Sequence, residues 1–276
     1  LLDEADRILG DGFLQVLFDG PEDVLTSTDF SQPAIYSVSC AAYAVFKEQA
    51  QNHVPAAAAG LSLGEYTALT AAGCLPFADG VSLVRQRGQF MQATADNHPG
   101  AMASVLGLDA GQIASICSAI EDVWVANYNS PGQTVISGEV KAVAQASAAC
   151  SEAGAKRVIP LKVSGAFHSP LMDEAREHLL PLLADVSWQD PEFPVLSNVT
   201  GLPYNNADEI PELLGRQVVE SVRWEDNCRW MLLRGISRYC EIGPGTVLQG
   251  LMKKIERAAD TVSVEQPADI AAALQA

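Results

Sequence analysis

Apolar positions along this chain change period several times, and each change marks an element. Asp3 to Gly10 reads as the end of a helix. After the polar stretch Thr26 to Gln32, Pro33 is expected to open a helix whose apolar stripe runs through Ile35, Val38, Ala42 and Phe46. The small residues Ala56 to Ala59 have the length of a buried strand, and Leu63, Tyr66, Leu69 and Ala72 then recur at helical spacing. Pro76 starts a further helix with Phe77, Val81, Val84 and Met91 on its buried face.

From Gly100 the pattern becomes two similar halves. Met102 to Leu108 predicts a strand and Asp109 to Ala119 a helix capped by Asp109. Val123 to Asn127 and Gln133 to Ser137 predict two strands around the Ser130-Pro131-Gly132 turn. Val140 to Ala153 predicts a helix and Arg157 to Val163 a last strand. The order β-α-β-β-α-β is that of a ferredoxin-like unit of about 65 residues, placed at 99–164 as an inserted small subdomain. Residues 1–98 and 165–276 form the larger part. There the alternation resumes with helices at Pro170 to Leu183, Pro211 to Val219, Asn227 to Arg234 and Thr246 to Arg257, and strands at Pro194 to Ser197 and Tyr239 to Ile242. The expected class is α/β: a hydrolase-like large subdomain with a parallel sheet, carrying the inserted ferredoxin-like one.

Composition narrows the function. With 48% hydrophobic and 18% charged residues over 276 positions, the chain can build an extensive core. No apolar run reaches the ~18 residues of a membrane span, and a cytoplasmic protein without membrane contact is expected. A net charge of −17 excludes nucleic acid as the expected partner. Cys40, Cys74, Cys117, Cys150, Cys228 and Cys240 show no metal-ligand spacing and read as free thiols in a reducing compartment.

The stretch with most chemical content is Gly60-Leu61-Ser62-Leu63-Gly64, set between the small-residue strand and the helix. A strand-turn-helix of this kind holds a serine on a strained turn with its hydroxyl exposed. Glycines on either side are expected to make room for that turn, and the helix start supplies free N–H groups. Ser62 is therefore a candidate nucleophile. A serine needs a base. Of His53, His98, His168 and His178, only His168 follows a predicted strand and precedes a helix, in Gly165-Ala166-Phe167-His168-Ser169-Pro170. It is either the base or a histidine bound to backbone near a helix start. No Asp or Glu stands out to orient it, which leaves a backbone carbonyl. Arg87 lies four residues before Met91 on one helix face. It is either a bidentate clamp for a carboxylate or, the commoner case, a surface arginine.

Five segments in order, Gly60 to Tyr66, Arg87 to Gln92, Asn127 to Gln133, Gly165 to Ser169 and Glu241 to Gly245, resemble one family. It is that of the malonyl-CoA:acyl carrier protein transacylases of fatty-acid synthesis, with the related acyltransferase domains of polyketide synthases. The resemblance covers nearly the whole chain. It implies that Ser62 is acylated, that His168 is its base and that the backbone carbonyl of Gln217 orients His168. It further implies that the Leu63 N–H is an oxyanion-hole donor and that Arg87 pairs with the malonate carboxylate. Met91 and Phe167 are implied to line the acyl pocket, Phe167 disfavouring a branched acyl group, and Asn129 to lie near the histidine. No cofactor is implied, malonyl-CoA being a substrate. The partner is acyl carrier protein, itself acidic, so a local basic patch is expected; Lys156, Arg157, Lys162, Lys253 and Lys254 are its candidates.

Two departures are visible. Leu61 stands where the family usually has histidine. The family also begins with a strand ending in Gly-Gln-Gly-x-Gln, whose first Gln gives a second oxyanion-hole donor, and this chain starts after it. The chain is accordingly expected to be an incomplete copy that needs those residues for stability. One lost donor typically costs about 10²–10³ in rate, and the lost strand leaves a sheet edge unpaired. Rival readings are a trans-acting polyketide acyltransferase, an acyl hydrolase on the same scaffold, and a non-catalytic docking module, the last opposed by the presence of Ser62 and His168.

Overall fold

In the computed structural model, which describes residues 1–10, 12–50, 54–163 and 165–274, the chain opens with α1 (Leu2–Leu9), α2 (Phe13–Asp19) and α3 (Glu22–Leu25). These lead into the long α4 (Thr28–Ala50), and here two expectations are corrected. Pro33 lies inside α4 and does not open it. Proline has no N–H for the carbonyl four residues back. That carbonyl, of Asp29, instead accepts from Arg85 Nη1 at 3.1 Å, which satisfies the group the proline leaves bare. The inward face also differs. Ile35 is 43% exposed, whereas Gln32, Tyr36, Ser39 and Cys40 are buried. The helix turns this face inward because Tyr36 bonds Thr70 Oγ1 at 2.7 Å and packs on Gly80, where any Cβ would collide with its hydroxyl.

Next come β1 (Ala58–Ala59), α5 (Leu63–Ala71) and α6 (Phe77–Asn97). The antiparallel part follows: β2 (Gly100–Leu106), α7 (Ala110–Ser118), β3 (Val123–Ser130), β4 (Gln133–Glu139), α8 (Val140–Glu152) and β5 (Arg157–Pro160). Its strands form one sheet in the order β3-β4-β2-β5, every neighbouring pair antiparallel. One face is covered by α7 and α8 through Ile113, Cys117, Val143 and Ala146. On the other, Met102, Ala126 and Val135 pack against Phe167, so the sheet abuts the segment that carries His168.

After a 3₁₀ turn at Pro170–Met172 the chain continues through α9 (Asp173–Asp185), β6 (Val195–Leu196), α10 (Ile210–Gln217) and α11 (Trp224–Leu233). It ends with β7 (Arg238–Ile242), α12 (Val247–Ile255), β8 (Asp260–Val264) and α13 (Pro267–Leu274). β1 pairs with β6, and β7 with β8, each in parallel. An apolar cavity of about 560 Å³ is lined by both β1 and β7. The architecture is therefore mixed α/β with parallel and antiparallel sheets. α2, α3, β8 and α13, none longer than 8 residues, arise where no periodic pattern announces them.

Among the described residues no helix is long and apolar enough to cross a membrane, and no cluster of His, Cys, Asp and Glu is placed to hold a metal ion. The Asp109 cap forms as expected, its carboxylate accepting from Gly111 N at 2.9 Å and Gln112 N at 3.2 Å. Asp109→Ala should lower the unfolding free energy in urea by about 1 kcal/mol, and Asp109→Asn by much less, because asparagine retains the accepting oxygen.

Candidate active site

Strand β1 runs into Gly60 and α5 begins at Leu63, so the chain turns from strand to helix over three residues. Ser62 takes φ 54°, in the left-handed region that side-chain-bearing residues seldom adopt. Gly60 permits the turn, since a Cβ there would collide with the Gly64 backbone. The matching expectation for Gly64 is corrected: a Cβ added to it meets nothing within 4 Å. What Gly60 needs from position 64 is its backbone, packed close. Asn198 fastens the turn from below, accepting the Ser62 N–H at 2.6 Å and donating Nδ2 to Gly60 O at 2.7 Å.

The serine hydroxyl has two neighbours. His168 Nε2 lies 2.8 Å from Ser62 Oγ, and His168 Nδ1 lies 2.7 Å from the backbone oxygen of Gln217. A carbonyl only accepts, so Nδ1 carries the proton and Nε2 is left to accept from the serine. His168 also sits at positive φ, 57°. Burial, then the positive charge of Arg87, push its pKa down to about 4, against the opposing pull of the Gln217 carbonyl. The imidazole is thus neutral at pH 7, as a base must be. Of the other histidines, His98 faces Glu174 at 3.8 Å and the His178 ring lies 5.4 Å from that of Phe90. His53 lies outside the described residues.

The second neighbour is Arg87, which is 1% exposed and so is not a surface arginine. Its Nη2 donates to Ser62 Oγ and to Gln217 Oε1, both at 3.0 Å, and its Nη1 donates to Gln32 Oε1. The guanidinium lies 5.5 Å from the centre of the Tyr66 ring. Met91, one turn along α6, meets the Gln32 side chain, its sulfur accepting from Gln32 Nε2 at 3.7 Å. Beneath Arg87 and Ser62 is Glu65, fully buried. Its carboxylate accepts from Tyr204 Oη, from Asn198 N at 3.2 Å and from Gln217 Nε2, and Gln217 Nε2 also reaches Ser62 O at 2.8 Å. Burial raises the Glu65 carboxyl to about 7, while its donors and Arg87 pull the other way.

Ser62, His168, Arg87 and Gln217 thus converge. The Leu63 N–H, at the first helical position of α5, is one of the amides that a helix start leaves without a partner within the helix. Phe167 packs on the antiparallel sheet next to His168, and a Cβ at Gly165 would strike its ring. Asn129 is buried on β3, but it makes no hydrogen bond to His168, and its Oδ1 has no partner among the described residues. Sequence reasoning missed Glu65, Gln32, Asn198 and Tyr204. For Glu65 a signal existed: Ser62-x-x-Glu65 has the spacing of a capping box, and the glutamate interrupts an apolar helix face. The box itself is not made, because Asn198 takes the Ser62 N–H.

The acyl transferase domain family matches residues 2–268. A malonyl CoA-acyl carrier protein transacylase of Bacillus subtilis is 42% identical over 279 residues, covering 100% of this chain and 87% of that protein. The structure of the malonyl CoA-acyl carrier protein transacylase from Coxiella burnetii superposes with a TM-score of 0.95 at 36% identity, over 99% of this chain and 87% of the other. A type II polyketide synthase acyl-carrier protein in complex with its malonyl-transacylase gives the same TM-score, 0.95, at 38% identity over 99% and 89%.

Two predictions rest on this geometry. Gly60→Ala should destabilise the fold by about 3 kcal/mol, at the upper end of overpacking, whereas Gly64→Ala should be neutral or stabilise by up to about 1 kcal/mol through helix propensity; thermal denaturation checks both. Reaction of Ser62 with a fluorophosphonate requires neutral His168. Because its pKa is lowered, the limb of the pH profile that belongs to His168 should have its midpoint near 4. The Glu65 carboxyl, raised to about 7, adds a separate inflection that Glu65→Gln removes, and a midpoint at the ordinary histidine value of about 6.5 in that variant contradicts the assignment.

Proposed function

The chain belongs to the acyl transferase domain family, among the malonyl-CoA:acyl carrier protein transacylases, and on that footing we propose that it passes a malonyl group from malonyl-CoA to the phosphopantetheine thiol of acyl carrier protein through a malonyl ester of Ser62. The observation that carries this reading is Arg87, a buried cation 3.0 Å from the nucleophile's oxygen. Its guanidinium suits an acyl group that brings its own carboxylate.

In the first half-reaction His168 Nε2 takes the Ser62 proton as Oγ bonds to the thioester carbonyl carbon. The oxyanion forms beside the Leu63 N–H, then the carbon–sulfur bond breaks and coenzyme A leaves with the proton from His168. In the second half the carrier thiol gives its proton to His168 and attacks the ester. The bond to Ser62 breaks, and Oγ recovers the proton. Throughout, the Gln217 carbonyl holds Nδ1–H and steadies the imidazolium when it forms. Burial, and after it the charge of Arg87, keep His168 weakly basic; a malonate carboxylate seated on Arg87 offsets the second of these, so the correct acyl group both binds and eases proton transfer. Only protein groups and the two thiols enter these steps; coenzyme A comes and goes as part of the substrate. The malonyl-carrier product is an extender unit for fatty-acid synthesis.

The strand order β3-β4-β2-β5 with two covering helices supports reading 99–164 as a ferredoxin-like subdomain, and the elbow between β1 and α5 supports a hydrolase-like unit formed by 1–98 and 165–276. Met91 and Phe167 line the acyl pocket in this reading, Phe167 held rigid by the sheet behind it, and Asn129 offers its unpartnered oxygen nearby. The six free thiols fit a cytoplasmic setting. For the carrier, Lys156, Arg157 and Lys162 are exposed. Lys254 and Lys253 are held by Gln133 Oε1 and Ala259 O, each at 2.6 Å, which leaves the first three as the better docking patch.

Arg87→Ala should lower the preference for malonyl-CoA over acetyl-CoA by about 100-fold, the weight of a buried charge deprived of its partner. A variant that kept the preference would sink the clamp. Reversing charge at Lys156 and Arg157 together should raise KM for carrier protein and leave KM for malonyl-CoA unchanged.

A further inference from the structure

The acyl-transfer steps use the charge of Arg87 and have no direct use for that of Glu65. Glu65 lies three residues after the nucleophile, on α5, with no exposed surface. Its two oxygens meet donors only: Oε1 takes the Tyr204 hydroxyl and the Asn198 N–H, and Oε2 takes Gln217 Nε2. A protonated carboxyl needs an acceptor for its own hydrogen. The Asn198 N–H and the Gln217 NH₂ offer none, and only the Tyr204 hydroxyl could turn to accept, so the carboxylate prevails above the raised value of about 7, where the activity readouts are taken. The set suits a carboxylate.

Gln217 then stands between two buried charges. Its Nε2 faces Glu65 and the Ser62 carbonyl, and its Oε1 faces Arg87. The two ends of an amide have opposite polarity, and each end here meets groups that admit one orientation only. Turned over, the NH₂ would meet the guanidinium, and the oxygen would meet a carboxylate and a carbonyl. Resting on the transfer reading above, we propose that Glu65 is a positioning residue whose carboxylate locks the Gln217 amide with its oxygen toward Arg87, and thereby sets the preference for an acyl group that bears a carboxylate. The neutral amide oxygen holds the guanidinium beside Ser62 without neutralising it. The countercharge is kept one side chain further away, where it offsets the burial of Arg87 and leaves the cation free for malonate. The same lock steadies the residue whose carbonyl orients His168.

In Glu65→Gln one end of the new amide must face a donor with a donor, whichever way it turns. Gln217 can then flip and present its NH₂ to Arg87. Two readouts follow, the ratio of kcat/KM for malonyl-CoA over acetyl-CoA and the rate at which a fluorophosphonate labels Ser62. Both should fall by about tenfold or more in folded Glu65→Gln, the weight of one hydrogen bond to a charged group. Tyr204→Phe removes a donor from the far oxygen and leaves the Gln217 contact in place. It should lower the melting temperature and keep both readouts within about twofold, which separates positioning from general support. The double variant Glu65→Gln/Gln217→Glu restores the match of donor to acceptor between the two side chains and moves the carboxylate onto Arg87, while one of its oxygens now faces the Ser62 carbonyl. The direct ion pair with Arg87 offsets that contact, and the double variant's malonyl preference should stay about tenfold low. A folded Glu65→Gln protein with parental ratio and labelling rate, or a double variant with parental ratio, overturns the proposal. A parent protein that is labelled by the fluorophosphonate but takes no malonyl from malonyl-CoA contradicts the transfer reading instead, and the labelling arm still decides the role of Glu65.

Discussion

One residue, Gln217, ties Ser62, His168 and Arg87 together. Its backbone oxygen holds His168 Nδ1, its side-chain oxygen holds Arg87, and its side-chain nitrogen spans the Ser62 carbonyl and Glu65. It is fully buried at the end of α10, so water does not compete for any of these contacts. The arrangement answers a problem that any buried arginine poses. A guanidinium in low dielectric needs acceptors and a countercharge, yet a carboxylate bound directly to it would occupy the place of an anionic substrate. An amide interposed between cation and anion meets both needs.

The polypeptide around this network is under strain at two points. Ser62 and His168 both take positive φ, an arrangement that persists only where surrounding contacts over-determine it. For Ser62 those contacts are Asn198, which grips the elbow at two backbone groups, and the Gly60–Gly64 approach that a Cβ would prevent. For His168 they are the two ring hydrogen bonds and the packing of Phe167 against the antiparallel sheet. The sheet thus acts on the chemistry from behind, by fixing where its neighbour in sequence can go.

How much of this could be seen in the residues alone follows from how local each feature is. The elbow was legible because strand, glycine, serine and helix are contiguous, and the β-α-β-β-α-β order because its turns and cap are each set within a few residues. The inward face of α4 was not, since it packs through Gln32, Ser37, Ser39 and Tyr36, and polar residues at helix positions read as outward. Arg87 was ambiguous for the same reason: only tertiary contacts bury it. Pro33 misled because its missing bond is made good by Arg85, more than fifty positions away. Glu65 depends on Asn198, Tyr204 and Gln217, all more than 130 residues distant, and no local pattern could announce that meeting.

The central claim is that Ser62 carries the malonyl group between two thiols. Intact-mass spectrometry after brief incubation with malonyl-CoA, followed by a chase with carrier protein, tests it most directly. The account predicts one malonyl adduct that maps to Ser62, vanishes in Ser62→Ala, and moves to the carrier protein faster than it is lost to water. An adduct that decays at one rate with or without carrier protein, or no adduct at all, would contradict it.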